Sequence, residues 1–226
     1  MADISKAEVL RYLGHKGQAV PAELSALIDD CMEECLRTAR PRQITRHFSL
    51  LTVEAGVELA ETSLTLPGRD IKAHLAGCSS CFLMAATLGV DIDNLIKRYE
   101  SADLTRSLIL DACATALIES VCDEAEAGLR RQAAGEGKGL TGRYSPGYGD
   151  LPLEVQPRFI ALLDTVRRIG LFCSQTNILI PRKSVTALAG LTDAPAEISP
   201  ARRGCGRRCA DCKLTDCLYR KEDARI

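Results

Sequence analysis

The stretch Arg143–Asp150, which reads Arg-Tyr-Ser-Pro-Gly-Tyr-Gly-Asp, places a cation, two phenols, a Pro-Gly pair and a carboxylate close together. Pro146 has a fixed φ and disfavours helical backbone in the residue before it, while Gly147 can adopt positive φ, so this pair predicts a type II turn. We expect the turn to bring Arg143 and Tyr148 toward one place. A guanidinium suits a carboxylate, and an aromatic face suits a cation or a flat ring. The stretch therefore predicts a site for a small ligand with a carboxylate, a positive centre and a heterocycle.

A second polar feature lies on the long, mostly apolar helix that we predict from Leu104 to about Arg131. Asp111, Thr115 and Glu119 are spaced four residues apart, so they share one face of that helix. Such a stripe is either a narrow solvated edge or the wall of a polar pocket, and the residues alone favour the solvated edge.

Each of these residues also has a purely structural interpretation. Arg143 could be a surface residue of the turn, and Tyr148 could cover the edge of the core with its ring. We expect Tyr144 to be exposed. Lys183 and Ser184 fall between two predicted strands, where turn formation alone could explain them.

The end of the chain is rich in cysteine, with four thiols spaced Cys-x3-Cys-x2-Cys-x4-Cys among several basic residues. Thiolates at this spacing suit Zn²⁺ or an iron–sulfur cluster, and the spacing alone does not choose between the two. A disordered tail with free thiols is the structural alternative. The predicted ligands are Cys205, Cys209, Cys212 and Cys217.

Two further cysteines, in the run Cys78-x2-Cys81, follow His74 and could form a redox pair or a metal site. No βαβ pattern surrounds them, so buried core thiols are favoured. Cys31 and Cys35 lie on the apolar face of a predicted helix and are interpreted in the same way.

Composition limits the function classes. The chain has 226 residues, 46% hydrophobic and 26% charged, enough for one domain with appendages. A net charge of −1 and the absence of Trp argue against a nucleic-acid or membrane-surface partner. The longest apolar run, Cys81–Val90, is too short to span a bilayer. With 11 cysteines and no signal-peptide core, we expect a cytoplasmic protein with few or no disulfides.

Hydrophobic periodicity and breaker residues predict the remaining elements. Ala133–Leu140 is expected to be a flexible loop, and 152–156 an irregular turn. Helices are predicted at Pro21–Arg40, Asp70–His74, Asp91–Glu100 and from Pro157 to near Arg168, and strands at Phe48–Val53, Asn177–Ile180 and Ser184–Leu191.

The run Arg143-x-x-x-Gly147-Tyr148 resembles the S-adenosylmethionine-binding motif of the activation domain of cobalamin-dependent methionine synthase. The resemblance covers roughly residues 80 to 192. It extends to three further segments in the same order, which are Ala86–Gly89, Leu110 through Glu119, and Pro181–Val185.

The resemblance implies an α+β fold with a helical N-terminal half and a mostly antiparallel twisted sheet whose concave side holds the ligand. It divides the chain into a helical lead-in of the same domain at 1–79, an S-adenosylmethionine-binding core at 80–193, and a linker with a Cys-rich tail at 194–226.

The resemblance also implies residue roles. Arg143 would hold the ligand's carboxylate, Glu119 its positively charged end, and the backbone from Tyr144 through Gly147 to Tyr148 its adenosine. Asp111 is a weaker candidate for the same site and could instead hold Arg143 or cap nearby backbone. No side chain need act as a catalytic nucleophile.

The function implied is reductive reactivation of a cobalamin cofactor, with a methyl group from S-adenosylmethionine. The run Lys72-x-His74-x-x-Gly77 has Lys where the cobalt-ligating motif has Asp, so we expect no cobalamin module here, and the cobalamin would belong to a partner, either methionine synthase or another corrinoid protein. An electron donor is also required, and an iron–sulfur cluster in the tail could relay its electron. The alternative is a non-catalytic S-adenosylmethionine sensor or scaffold whose metal-closed tail binds a partner. A radical S-adenosylmethionine enzyme is disfavoured, because only 14 residues follow Cys212.

Overall fold

The computed structural model describes residues 2–193, which form a six-stranded antiparallel sheet with helices on both faces. The helices are α1 (Lys6–Tyr12), α2 (Ala22–Thr38), α3 (Arg69–His74), α4 (Val90–Glu100), α5 (Leu104–Gly135), α6 (Gln156–Leu163) and α7 (Thr165–Ile169). The strands are β1 (Arg42–Val53), β2 (Gly56–Leu59), β3 (Thr65–Pro67), β4 (Cys78–Thr87), β5 (Gly139–Leu140), β6 (Phe172–Cys173), β7 (Leu179–Ile180) and β8 (Ser184–Thr192).

The main sheet has the strand order β3-β2-β1-β4-β8-β5, and every neighbouring pair is antiparallel. The strands β6 and β7 pair only with each other in a separate two-stranded sheet. The expected α+β class with a mostly antiparallel sheet is therefore confirmed.

The helix α5 covers one face of the sheet and packs on its outer side against α1, α2 and α4. Its long apolar centre is explained by this position, because it is buried from two sides. Asp103 begins the helix as its N-cap, with its side chain accepting a hydrogen bond from the Arg106 amide. Met84 and Ala187 of the central strands belong to this apolar layer.

The opposite face of the sheet carries the second core. Leu83 of β4 and Leu188 of β8 pack there with Phe159 of α6 and Ile169 of α7. Side chains of a strand alternate between faces, so consecutive residues of β4 pack alternately into the first and the second core.

The expected helical lead-in at 1–79 differs from the structure. Only Lys6–Tyr12, Ala22–Thr38 and Arg69–His74 are helical there, and the same stretch contributes β1, β2 and β3 to the sheet. The strand β1 pairs with β4 along most of its length, so the segments on either side of residue 79 share one sheet.

Two smaller expectations also differ. The flexible loop predicted at Ala133–Leu140 instead contains the end of α5 and all of β5. The helix predicted from Pro157 to near Arg168 is broken at Asp164, which adopts left-handed backbone with φ of 52°. Within residues 2–193, no helix is both long and apolar enough to cross a bilayer.

Candidate functional site

The segment Arg143–Asp150, in which the sequence predicts a ligand site, starts beside β8 at the edge of the main sheet. Tyr144 forms an isolated antiparallel bridge with Leu188 of β8, with two backbone hydrogen bonds of 2.9 Å. Leu188 faces the α6 side of the sheet, so the Tyr144 ring does the same and is only 8% exposed. The expectation that Tyr144 is exposed was wrong, because this bridge could not be seen in the sequence.

In extended backbone, neighbouring side chains point to opposite faces of the sheet, so Arg143 faces away from the side that Tyr144 enters. Arg143 therefore points toward α5, where its contacts are found, while Tyr144 enters the second core. One short extended segment thus fixes a buried aromatic ring and the candidate ligand-binding cation together.

The turn that follows has the predicted geometry. The Tyr148 amide donates to the Ser145 carbonyl at 3.1 Å, and Gly147 at the third turn position has φ of 87°. This is the positive φ that a type II turn requires at that position, so the prediction is confirmed. The Tyr144 hydroxyl donates to the Tyr148 carbonyl at 3.0 Å, which ties the turn back to the sheet edge.

The guanidinium of Arg143 is surrounded by three carboxylates from one face of α5. Its Nη2 lies 2.5 Å from Asp123 Oδ1 and 3.5 Å from Glu119 Oε2, and its Nε lies 3.0 Å from Glu126 Oε2. Only 11% of the Arg143 side chain is exposed. The structure therefore brings Arg143 and Glu119 together, as the resemblance implied, and adds two acids that the sequence analysis did not single out.

Glu126 is the buried anchor of this group. Arg130, one turn further along α5, lies 2.6 Å from Glu126 Oε1 through Nη2 and also donates to the carbonyls of Leu140 and Thr141. Glu126 thus shares its two oxygens between Arg130 and Arg143. This network joins α5 to the segment that carries Arg143.

Burial raises the pKa of Glu119 above its ordinary value, and the neighbouring Arg143 guanidinium opposes that shift. The charge of Arg11 in α1 also lowers the pKa of Glu119, whereas the charge of Glu8 raises it. Glu119 lies beside a buried guanidinium, and 43% of its own side chain is exposed, so a cationic group of a ligand can reach it.

Asp111 has a different partner from the one considered in the sequence analysis. Its Oδ1 lies 2.9 Å from Nζ of Lys183, which also donates to the Thr115 hydroxyl at 2.8 Å. Lys183 is thus more than a turn residue, because it ties the start of β8 to α5. Asp111, Thr115 and Glu119 do share one face, which continues to Asp123.

Tyr148 is 48% exposed, so it does not serve mainly as a cover for the core. Its ring meets that of Tyr144 edge-on, with centroids 6.1 Å apart. The half-exposed ring leaves an aromatic surface beside the turn, against which a flat ring can stack.

His74 of α3 and Asp150 after the turn hold the turn against α3, and the sequence analysis named both residues without this role. The His74 ring lies 4.9 Å from that of Tyr144, and its Nε2 lies 2.9 Å from the Gly142 carbonyl. Asp150 accepts hydrogen bonds from the amides of Arg69 and Asp70 at the start of α3, which lowers the pKa of its carboxyl. Asp150 is 80 residues from Asp70 along the chain, so no local signal indicated this contact.

Within residues 2–193, no group of three or more His, Cys, Asp or Glu side chains could hold a metal ion. Cys81 is buried, which raises the pKa of its thiol to about 12, and Cys78 is partly buried with a raised pKa as well. A raised pKa keeps a thiol protonated, and metal ligands are thiolates, so both cysteines are better explained as core residues. The predicted ligands Cys205, Cys209, Cys212 and Cys217 lie outside the described residues.

The fold of residues 2–193 is one found in a known class of protein domain. The chain has the fold of a methionine synthase reactivation domain, as the sequence resemblance implied. One solved structure to which it is similar is a crystal structure of the MetH reactivation domain bound to AdoHcy, with a TM-score of 0.59 and 16% identity, over 79% of this chain and 68% of that one. No protein-family model and no curated protein sequence matches the chain.

Proposed function

We propose that this chain binds S-adenosylmethionine and serves as a reactivation module for the cobalamin of a separate corrinoid protein. The observation that carries the proposal is the position of Arg143. It belongs to an Arg-x-x-x-Gly-Tyr run, lies against the acidic face of α5, and does so in a fold shared with a domain crystallised with AdoHcy.

The cation and the acid of the site are complementary to the carboxylate and the positively charged groups of the ligand's amino-acid portion. Arg143 offers Nη donors to a carboxylate, in the fork geometry that carboxylates prefer. Glu119, 3.5 Å from the same nitrogen, would meet the ammonium and sulfonium groups beside that carboxylate. Both side chains are therefore assigned to the amino-acid portion of the ligand.

The turn is assigned to the nucleoside portion. Positive φ at Gly147 and the bridge from Tyr144 to β8 hold the backbone of 144–148 in a fixed shape, and the exposed Tyr148 ring lies beside it. Asp111, held by Lys183, lies further along the same helix face and is proposed as a supporting residue of this site.

In the proposed reaction, S-adenosylmethionine supplies a methyl group, a donor supplies one electron, the partner's cobalamin accepts both, and S-adenosylhomocysteine is released. The chain's own contribution is to bind and orient the methyl donor, since no side chain is required as a nucleophile. The partner is proposed to be methionine synthase or another corrinoid protein. The tail thiols remain a predicted zinc or iron–sulfur site, with electron relay as the proposed role of a cluster.

The test is a reconstitution under anaerobic conditions. A methionine synthase that lacks its own reactivation domain and carries cob(II)alamin is mixed with this chain, S-adenosylmethionine and titanium(III) as the electron donor. We expect methylcobalamin absorbance to appear with one equivalent of S-adenosylhomocysteine, and only when the chain is present. Binding of S-adenosylmethionine without any methylcobalamin would contradict reactivation of this partner and favour the non-catalytic sensor or scaffold.

A further inference from the structure

Two of the carboxylates that contact Arg143 differ in how far they are exposed to solvent. On its Nε side the partner is Glu126, a side chain only 7% exposed and held in place by Arg130. On its Nη2 side the close partner is Asp123, whose side chain is 51% exposed. The first contact is a fixed part of the fold, and the second lies where solvent and ligands can reach it.

An incoming carboxylate would therefore meet Arg143 at Nη2, the nitrogen that Asp123 contacts at 2.5 Å. Two carboxylates at that position would repel each other, because one guanidinium edge accepts one bidentate partner and like charges a few ångströms apart are unfavourable. Asp123 is able to leave, since half of its side chain is already in water and its carboxylate regains hydration that offsets part of the lost ion pair.

We propose that Asp123 is a place-holding carboxylate, which occupies the Arg143 Nη2 position in the unliganded chain and is exchanged for the carboxylate of the nucleoside ligand. The inference rests on the proposed function, because it takes the ligand to be one with an amino-acid carboxylate. Asp123 keeps the Arg143 side chain extended toward the site, and the exchange makes the affinity for the ligand lower than Arg143 alone would give.

The other charged groups around this position support exchange rather than a permanent pair. Glu119 also approaches Nη2, at 3.5 Å, so the cation keeps an acidic neighbour after Asp123 moves away. Glu126 continues to hold Nε, and Arg130 continues to hold Glu126. The guanidinium therefore stays in place while only one of its partners changes.

The experiment is calorimetric titration of Asp123→Asn and of the wild-type chain with two probes. S-adenosylhomocysteine has the carboxylate, and 5′-methylthioadenosine has the same nucleoside without the amino-acid end. We expect Asp123→Asn to bind S-adenosylhomocysteine about two- to fivefold more tightly than the wild type, the worth of a half-exposed ion pair, and to bind 5′-methylthioadenosine with unchanged affinity. Glu136→Gln, which removes an exposed carboxylate from the end of the same helix, should change neither affinity.

Detectable binding of S-adenosylhomocysteine by Asp123→Asn alone would also support the exchange. Equal or weaker binding by the variant, when the wild type binds, would overturn the exchange and leave the proposed function standing. An equal gain for both probes would overturn it as well, because the effect would then not depend on the carboxylate. Failure of both proteins to bind S-adenosylhomocysteine would remove the proposed function and the exchange together.

Discussion

Replacing Arg143 with Ala is expected to weaken the binding of S-adenosylhomocysteine by ~1.5–3 kcal/mol, which is roughly a 10- to 150-fold rise in Kd. The physical reason is the loss of a charge-assisted hydrogen bond to the ligand's carboxylate in a site where the guanidinium is almost fully shielded from water. The measurement is isothermal titration of the purified variant beside the wild type.

Arg167→Ala is the matched control, because it removes the same charge from a side chain that is 80% exposed on α7. Its affinity should equal that of the wild type. Arg143→Lys keeps the charge without the planar fork and should lie between wild type and Arg143→Ala. Unchanged binding by Arg143→Ala, in a variant that melts as a folded protein, would mean that the ligand's carboxylate is held elsewhere.

The second large effect concerns stability. Glu126→Ala is expected to lower the free energy of unfolding by about 2–4 kcal/mol, slightly less than the usual result of breaking a fully buried ion pair, since Arg130 is partly exposed. Two guanidiniums, those of Arg130 and Arg143, lose their shared carboxylate, and Arg143 is left largely buried. Urea unfolding followed by circular dichroism measures the change.

Glu136→Ala on the exposed end of α5 serves as the control for loss of one acid from the helix. Glu126→Gln should retain part of the stability, because its amide oxygen can still accept a hydrogen bond from one of the two guanidiniums. If Glu126→Ala were as stable as Glu136→Ala, Glu126 would not be the anchor of Arg143.

The type II turn at Pro146-Gly147 could be predicted because it depends on local chemistry alone. A fixed φ at Pro146 and the tolerance of Gly147 for positive φ decide the backbone without help from distant residues. The same is true of the long helix α5, whose apolar centre spans several turns. Local rules do not say which side chain of the segment enters the core, so the burial of Tyr144 was missed.

The central strand β4 could not be predicted from periodicity. Residues Cys81–Thr87 are buried on both faces of the sheet, so they form a continuous apolar run instead of an alternating one. Such a run is equally consistent with a buried strand or a buried piece of helix. The neighbouring strand β1 was predicted only from Phe48 onward, because most of its earlier side chains are exposed.

The acidic group around Arg143 left a partial signal. Asp111, Thr115 and Glu119 were seen as a helical stripe, and the same spacing continues to Asp123, with Glu126 one turn later. What the sequence did not contain was the partner of each acid. Lys183 pairs with Asp111 and Arg143 with Glu119, Asp123 and Glu126, and these pairings depend on how β8 and its edge segment lie against α5.

A crystal structure of the full chain grown with S-adenosylhomocysteine tests the central claim, the location of the ligand, most directly. We expect the ligand's carboxylate within about 3 Å of Arg143 Nη2, the distance of a charge-assisted hydrogen bond, with its ammonium toward Glu119 and its adenosine along residues 144–148. A ligand bound away from Arg143, with the Asp123 and Glu126 pairs unchanged, would contradict the account.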